Sequence, residues 1–162
     1  IHCYIYELSN EPVQDTCGHL SSDLPEWFFG SVADSLCDLH DEAHETAIRE
    51  FIECFQNTCW TDSDGALHFK DNVKPQYFES RFIEFRQAAA LLSTATFEEF
   101  SGQKDSGTLD RVLTTLNNVY YDKFGNYIYL HDTKEILTMH EWIRTLDLND
   151  KFYFGGVADY HW

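Results

Sequence analysis

The string His40-Asp41-Glu42-Ala43-His44, with Cys37 three residues ahead, is the sharpest chemical pattern in the chain. Two histidines at i and i+4 of a helix share one face and can hold a zinc ion, the spacing used by helical metalloproteases. That motif needs glutamate directly after the first histidine as general base, and Asp41, one methylene shorter, stands there instead. No third ligand is adjacent, although His68, His131 or His140 could complete a set. His40 also falls at the expected helix start. An acid-rich helix N-terminus with His44 packed on the apolar side explains the same residues. A metal-dependent hydrolase using His40, His44 and Cys37 is therefore the alternative reading, and no cofactor is assigned.

Other patterns with chemical potential give less. Asp62-Ser63-Asp64-Gly65 resembles part of a calcium loop, but a full loop would put its first ligand at Trp60, which cannot coordinate a cation. An Asp-Gly turn is the better account. The chain has no Gly-x-Ser-x-Gly elbow, phosphate loop or Gly-x-Gly-x-x-Gly. Cys37–His40 and Cys59–His68 are thiol–imidazole pairs that chance proximity explains among five cysteines and eight histidines. The sequence favours a non-enzyme.

Carboxylates are what remain. On a helix over Asp41 to Thr58, Ala43, His44, Ala47, Ile48, Phe51, Cys54 and Phe55 fall within one arc. Asp41, Glu42, Glu45, Glu50 and Glu53 take the other half, relieved only by Arg49. Asp34 and Asp38 lie just upstream. Carboxylates a turn or two apart lie at spacings comparable to successive phosphates of a nucleic-acid backbone. Such a face can occupy a Lys/Arg groove, with Trp27 and Trp60 as rim anchors.

The elements that must position these residues read as follows. His2 to Glu7 alternates as a strand, and Ser9 to Ser22 as a loop. Asp23-Leu24-Pro25-Glu26 carries the start signals of a helix, with Phe28, Phe29, Val32, Leu36 and Leu39 on one face. Trp60 to Lys70 reads as a hairpin around Asp64-Gly65. Pro75 opens a helix whose Phe78, Phe82, Phe85, Ala89 and Leu92 form an expected core stripe. Thr96 with Glu99 marks a short helix, and Leu109, Val112, Leu113 and Leu116 mark another. Asn118 to His131 reads as a second hairpin turning at Phe124-Gly125-Asn126, and its offset of 60 from the first suggests a duplicated unit. Thr138 and Glu141 box a last short helix, and Lys151 to Phe154 is a strand ended by Gly155-Gly156. The expected fold class is α+β, with amphipathic helices packed on small antiparallel hairpins or a sheet as one compact domain over residues 1–162.

Composition bounds the function. The 162 residues carry 28 Asp+Glu against 11 Lys+Arg, a formal net charge of −17. Residues 1–69 hold 14 acids and one base, and residues 70–162 hold 14 acids and 10 bases. At 43% apolar and 16% aromatic the chain is too hydrophobic for a disordered acidic tail. The charge excludes direct nucleic-acid binding and docking on an anionic membrane. Five cysteines at irregular spacing, with no leader-like segment or long apolar run, point to a reducing cytoplasm. Ile1 already opens a strand, so native residues are expected upstream. In composition, though in no motif, the chain is similar to acidic nucleic-acid-mimicking inhibitors that act on restriction or CRISPR enzymes. It is equally similar to acidic immunity proteins that neutralise nuclease toxins. The expected function is a DNA-mimic inhibitor of a basic nucleic-acid-binding protein, alone or as a dimer.

Overall fold

A computed structural model describes residues 2–16 and 18–162, so Cys17 and the expected strand start at Ile1 lie outside the described residues. In chain order the elements are β1 (Cys3–Ser9), α1 (Leu20–Asp23), α2 (Glu26–Ser31), β2 (Ser35–Asp38), α3 (Asp41–Glu53), β3 (Cys59–Thr61) and β4 (Ala66–Phe69). There follow α4 (Val73–Leu92), α5 (Phe97–Phe100), α6 (Gly107–Tyr121), β5 (Tyr127–Leu130), β6 (Glu135–Thr138), α7 (Met139–Thr145) and β7 (Phe152–His161). The fold class is α+β.

One seven-stranded sheet runs β3-β4-β7-β1-β5-β6, and β2 joins it on β7 beside the far end of that strand. All pairings are antiparallel except β1 with β5. Alternation along the strands gives the sheet two buried faces. Tyr6, Leu8, Ile128 and Val157 point to one, where Ala47 and Phe51 of α3, Val73 and Tyr77 of α4 and Trp142 of α7 cover them. Ile5, Tyr127, Tyr129 and Tyr160 point to the other, covered by Leu20 of α1 and Phe28 of α2.

Several expectations are met because their causes are local. Thr138 and Glu141 form the reciprocal capping box of α7, and Thr96 accepts from the Glu99 amide. The Asp62 carboxylate accepts from the amides of Asp64 and Ala66, and Gly65 sits at φ 84°, the conformation the hairpin requires. This is an Asx-closed turn and not a calcium loop.

Other expectations fail where a distant partner wins. The helix expected from Asp23 is shorter than its pattern: α2 is capped by Pro25 and not by the Asp23 side chain and stops at Ser31, a separate α1 begins at Leu20 in the stretch expected as a loop, and Leu36 and Asp38 lie on a strand. Hydrogen bonds from Asp34 N to His161 O and from Leu39 N to Val157 O tie that segment to β7. The next helix ends at Glu53 and not Thr58, because Gln56 and Asn57 adopt φ of 46° and 66°. The Phe stripe of α4 is not a core face. Phe82 is 58% exposed, and the residues that α4 buries are Val73, Tyr77 and Ala88, because its distal part has α6 for cover and no sheet beneath it. The second hairpin is displaced: α6 runs on to Tyr121 and ends on Asp122 at φ 52°, and the strands are β5 and β6, joined across 131–134. The two segments therefore differ in structure, which removes the basis for a duplication.

The last strand does not stop at Gly155-Gly156 but runs through both to His161. Its register with β1 shifts between Tyr6 and Leu8, so the two glycines oppose Glu7 across a β-bulge. A Cβ on Gly155 would meet the Glu7 Oε1 at 2.0 Å, so the glycine vacates the space that this carboxyl fills.

Candidate functional site

Helix α3 presents the expected two faces. His44, Ala47 and Phe51 are buried, while Asp41, Glu42, Glu45, Glu50 and Glu53 are exposed. Ala43 and Cys54, expected on the apolar side, are exposed as well. Asp41 and Glu42 in the first turn favour the helix dipole, and this local gain offsets part of their mutual repulsion.

The remaining members of the predicted surface disperse. Asp34 is exposed just before β2. Asp38 is half-buried and committed to Ser21, whose amide and hydroxyl both donate to it, at 2.9 and 2.5 Å. Trp27, on α2, is 52% exposed and belongs to the sheet face opposite α3. Trp60, 45% exposed, stacks on His68 across the β3–β4 pair, while its neighbour Cys59 and His68's neighbours Leu67 and Phe69 turn into the α3-side core. Alternation therefore sends Trp60 to the other face too. Both tryptophans are thus carried on the sheet face opposite the one that α3 covers.

The electrostatics of the surface are one-sided. No lysine or arginine among the described residues lies within 4.0 Å of a carboxylate, and the pairs found there are with histidines. Four of the eleven cations lie over aromatic rings instead: Arg81 lies 3.9 Å from the Tyr77 centroid, Arg144 4.3 Å from that of Tyr120, and Arg86 and Lys123 lie over Phe82 and Phe124. Arg49, the one cation on α3, donates to the Thr46 hydroxyl. A further acidic feature opens from the core that α3 covers, a cavity of about 260 Å³. Trp142, Phe152 and Leu8 are among its apolar lining, with Asp132, Glu135, Asp147 and Asp150 as its carboxylates. The acids come from the charge-balanced part of the chain, on two separate segments, 132–135 and 147–150, so no single element's periodicity could have grouped them.

The alternative metal set does not assemble. His40 is the N-cap of α3, with an extended backbone (φ −128°, ψ 155°) and Asp41 at φ 50° after it, so it lacks the helical dihedrals that align side chains at i and i+4. The His44 ring is buried, and its Nε2 donates to Gly155 O at 2.8 Å. Cys37 is exposed on β2, and its thiol lies 3.6 Å from Asp38 O. Among the described residues, these three side chains form no metal-ligating group. The suggested third ligands are engaged elsewhere: His68 with Asp62, His131 with Glu7, and His140 with Tyr120 O.

Two polar centres escaped the sequence reading. Glu7, fully buried at the bulge, accepts from Gly156 N at 2.8 Å and faces His19 Nε2 and His131 Nδ1, each at 3.1 Å. A glutamate continuing an alternating strand, opposite paired glycines far along the chain, was the signal available. The other centre is Asp122, whose Oδ2 lies 3.5 Å from the buried Nε2 of His140. Burial raises the Asp122 carboxyl to about 6, against some lowering by Arg81, and burial lowers His140 to about 4.

Comparison with protein-family models, with curated proteins and with solved structures finds no match to this chain. Among the described residues no helix is long and apolar enough to cross a membrane, and Cys3, Cys37, Cys54 and Cys59 are free thiols.

Proposed function

We propose that this protein is a non-enzymatic acidic inhibitor that binds a basic partner protein and blocks its nucleic-acid-binding groove in the cytoplasm. The observation that carries the reading is the row of exposed α3 carboxylates with no lysine or arginine paired to any of them. Internal ion pairs would have consumed that charge; left open, it is available to an external cation and steers association. Glu42 with Glu45, and Glu50 with Glu53, lie at i,i+3, about 5 Å apart along the axis by helix geometry. The acid-lined cavity supplies the anchor that the tryptophans do not. Its apolar walls suit the methylene stem of a partner lysine or arginine, and its carboxylates suit the charged head.

The test is affinity capture from source cells with wild-type protein and with the combined variant Glu42→Lys, Glu45→Lys, Glu50→Lys, Glu53→Lys. The wild type should retain a basic nucleic-acid-binding protein that duplex DNA or RNA elutes. The variant, with an unchanged far-UV circular dichroism spectrum, should retain none. Undiminished capture by the variant, or a partner that nucleic acid does not displace, refutes groove occlusion.

A further inference from the structure

Glu7 is a fully buried carboxyl met by one backbone amide and two imidazoles and, among the described residues, by no lysine or arginine. A buried carboxylate is strongly disfavoured unless a positive charge or several donors meet it. The Gly156 amide is one donor. His19 can donate through Nε2, but its Nδ1 is buried with no hydrogen-bond partner among the described residues. His131 is 45% exposed and donates from the rim.

A third group converges on the same point. A carboxylate oxygen of Asp23, the His19 Nε2 and a Glu7 carboxylate oxygen all lie within 4.8 Å of one another. Their placement is built into the fold. His19 and Asp23 flank Leu20 to Ser22 at i,i+4, one helical turn apart. Leu20 draws this turn onto β7, because Gly156 has no Cβ; one placed there would sit 3.1 Å from the Leu20 Cβ. The bulge then aims Glu7 at the turn, while His44 donates to Gly155 O from the opposite side of the strand.

We infer that Glu7, His19 and Asp23 bind a divalent first-row transition ion, with His131 orienting the Glu7 carboxylate. The 3.1 Å between His19 Nε2 and Glu7 Oε1 is close to the roughly 3.4 Å separating two ligands at tetrahedral zinc. Two carboxylates and a dication make a neutral unit, which answers the burial of Glu7. The imidazole selects zinc-like ions over magnesium or calcium, which take six or more oxygens.

The ligand atoms of His2, Asp159 and His161 also converge within 4.8 Å at the surface, so the test uses a His2→Ala, His161→Ala background. Chelator-stripped protein is titrated calorimetrically with Zn2+, with Mg2+ and Ca2+ in parallel. One equivalent of Zn2+ should bind and raise the melting temperature, with binding by neither Mg2+ nor Ca2+. His19→Ala and Asp23→Ala, both at the solvent side, should weaken Zn2+ binding by more than about 100-fold while keeping the fold. Glu7→Gln should do the same, and the two rim variants decide the matter if it fails to fold. Absence of stoichiometric Zn2+ binding, binding indifferent to both rim variants, or equal affinity for Mg2+ overturns the inference.

Discussion

Asp122 is held where its charge opposes the fold. It caps α6 in the left-handed conformation, and burial raises its carboxyl to about 6, so the folded state binds more protons than the unfolded chain between about pH 4 and 6. By that sign its contribution grows more favourable as pH falls through the window. His140, lowered to about 4 by burial, acts in the opposite sense: the unfolded chain binds more protons between about pH 6.5 and 4, and stability is lost as pH falls. The two slopes offset each other in the wild type. Asparagine tolerates the left-handed conformation and carries no charge, so Asp122→Asn should be more stable at pH 8 by about 1–2 kcal/mol, discounted for the third of the side chain that water reaches. Urea denaturation at pH 8, 6 and 4.5 checks this. The variant's advantage should vanish toward pH 4, and its stability should fall steeply with acidification where the wild type changes little. Parallel profiles would show that burial does not shift Asp122.

The β1–β7 bulge shows which elements a sequence reveals and which it hides. The Asp62–Gly65 turn and the Thr138–Glu141 box were legible because both donor and acceptor lie within a few residues. Gly155-Gly156 read as a strand end because the group that requires them, Glu7, is 148 and 149 residues away; locally, paired glycines only weaken a strand. The parallel β1–β5 pair was hidden for the same reason. The α4 stripe misled in the other direction, since its spacing gives a face but not what covers it. For the candidate surface, helical periodicity yielded the α3 acids, whereas the strand parity of Trp60 depended on its pairing with His68. Two glycine substitutions separate these cases. Gly155→Ala drives a Cβ against the Glu7 carboxyl and should cost about 2–4 kcal/mol in chemical denaturation. Gly30→Ala, inside α2 with nothing within 4 Å of the added Cβ, should gain about 0.5–1 kcal/mol. A neutral Gly155→Ala would mean that Glu7 has room to move and that the bulge does not fix it.

At the scale of the molecule, −17 is carried with no lysine or arginine pairing a carboxylate among the described residues, and this fixes the sign of the salt response. Were ion pairs holding the fold, added salt would weaken it. Here the dominant long-range term is repulsion, most intense before Phe69, and salt screens it as the Debye length shrinks from about 30 Å at 0.01 M to about 3 Å at 1 M. Moving from 10 mM to 500 mM KCl should therefore raise stability by about 1 kcal/mol, a melting-temperature gain of roughly 2–4 °C. The same screening should slow association with a basic partner, so fold and binding respond to salt with opposite signs. The four-lysine α3 variant joins the two. With its formal charge moved to −9, it should melt higher than the wild type at 10 mM KCl, gain less from added salt, and fail to capture the partner. A variant that keeps the wild-type salt gain would locate the repulsion elsewhere than α3. One that loses the salt gain but still captures the partner would separate the molecule's charge excess from its binding surface.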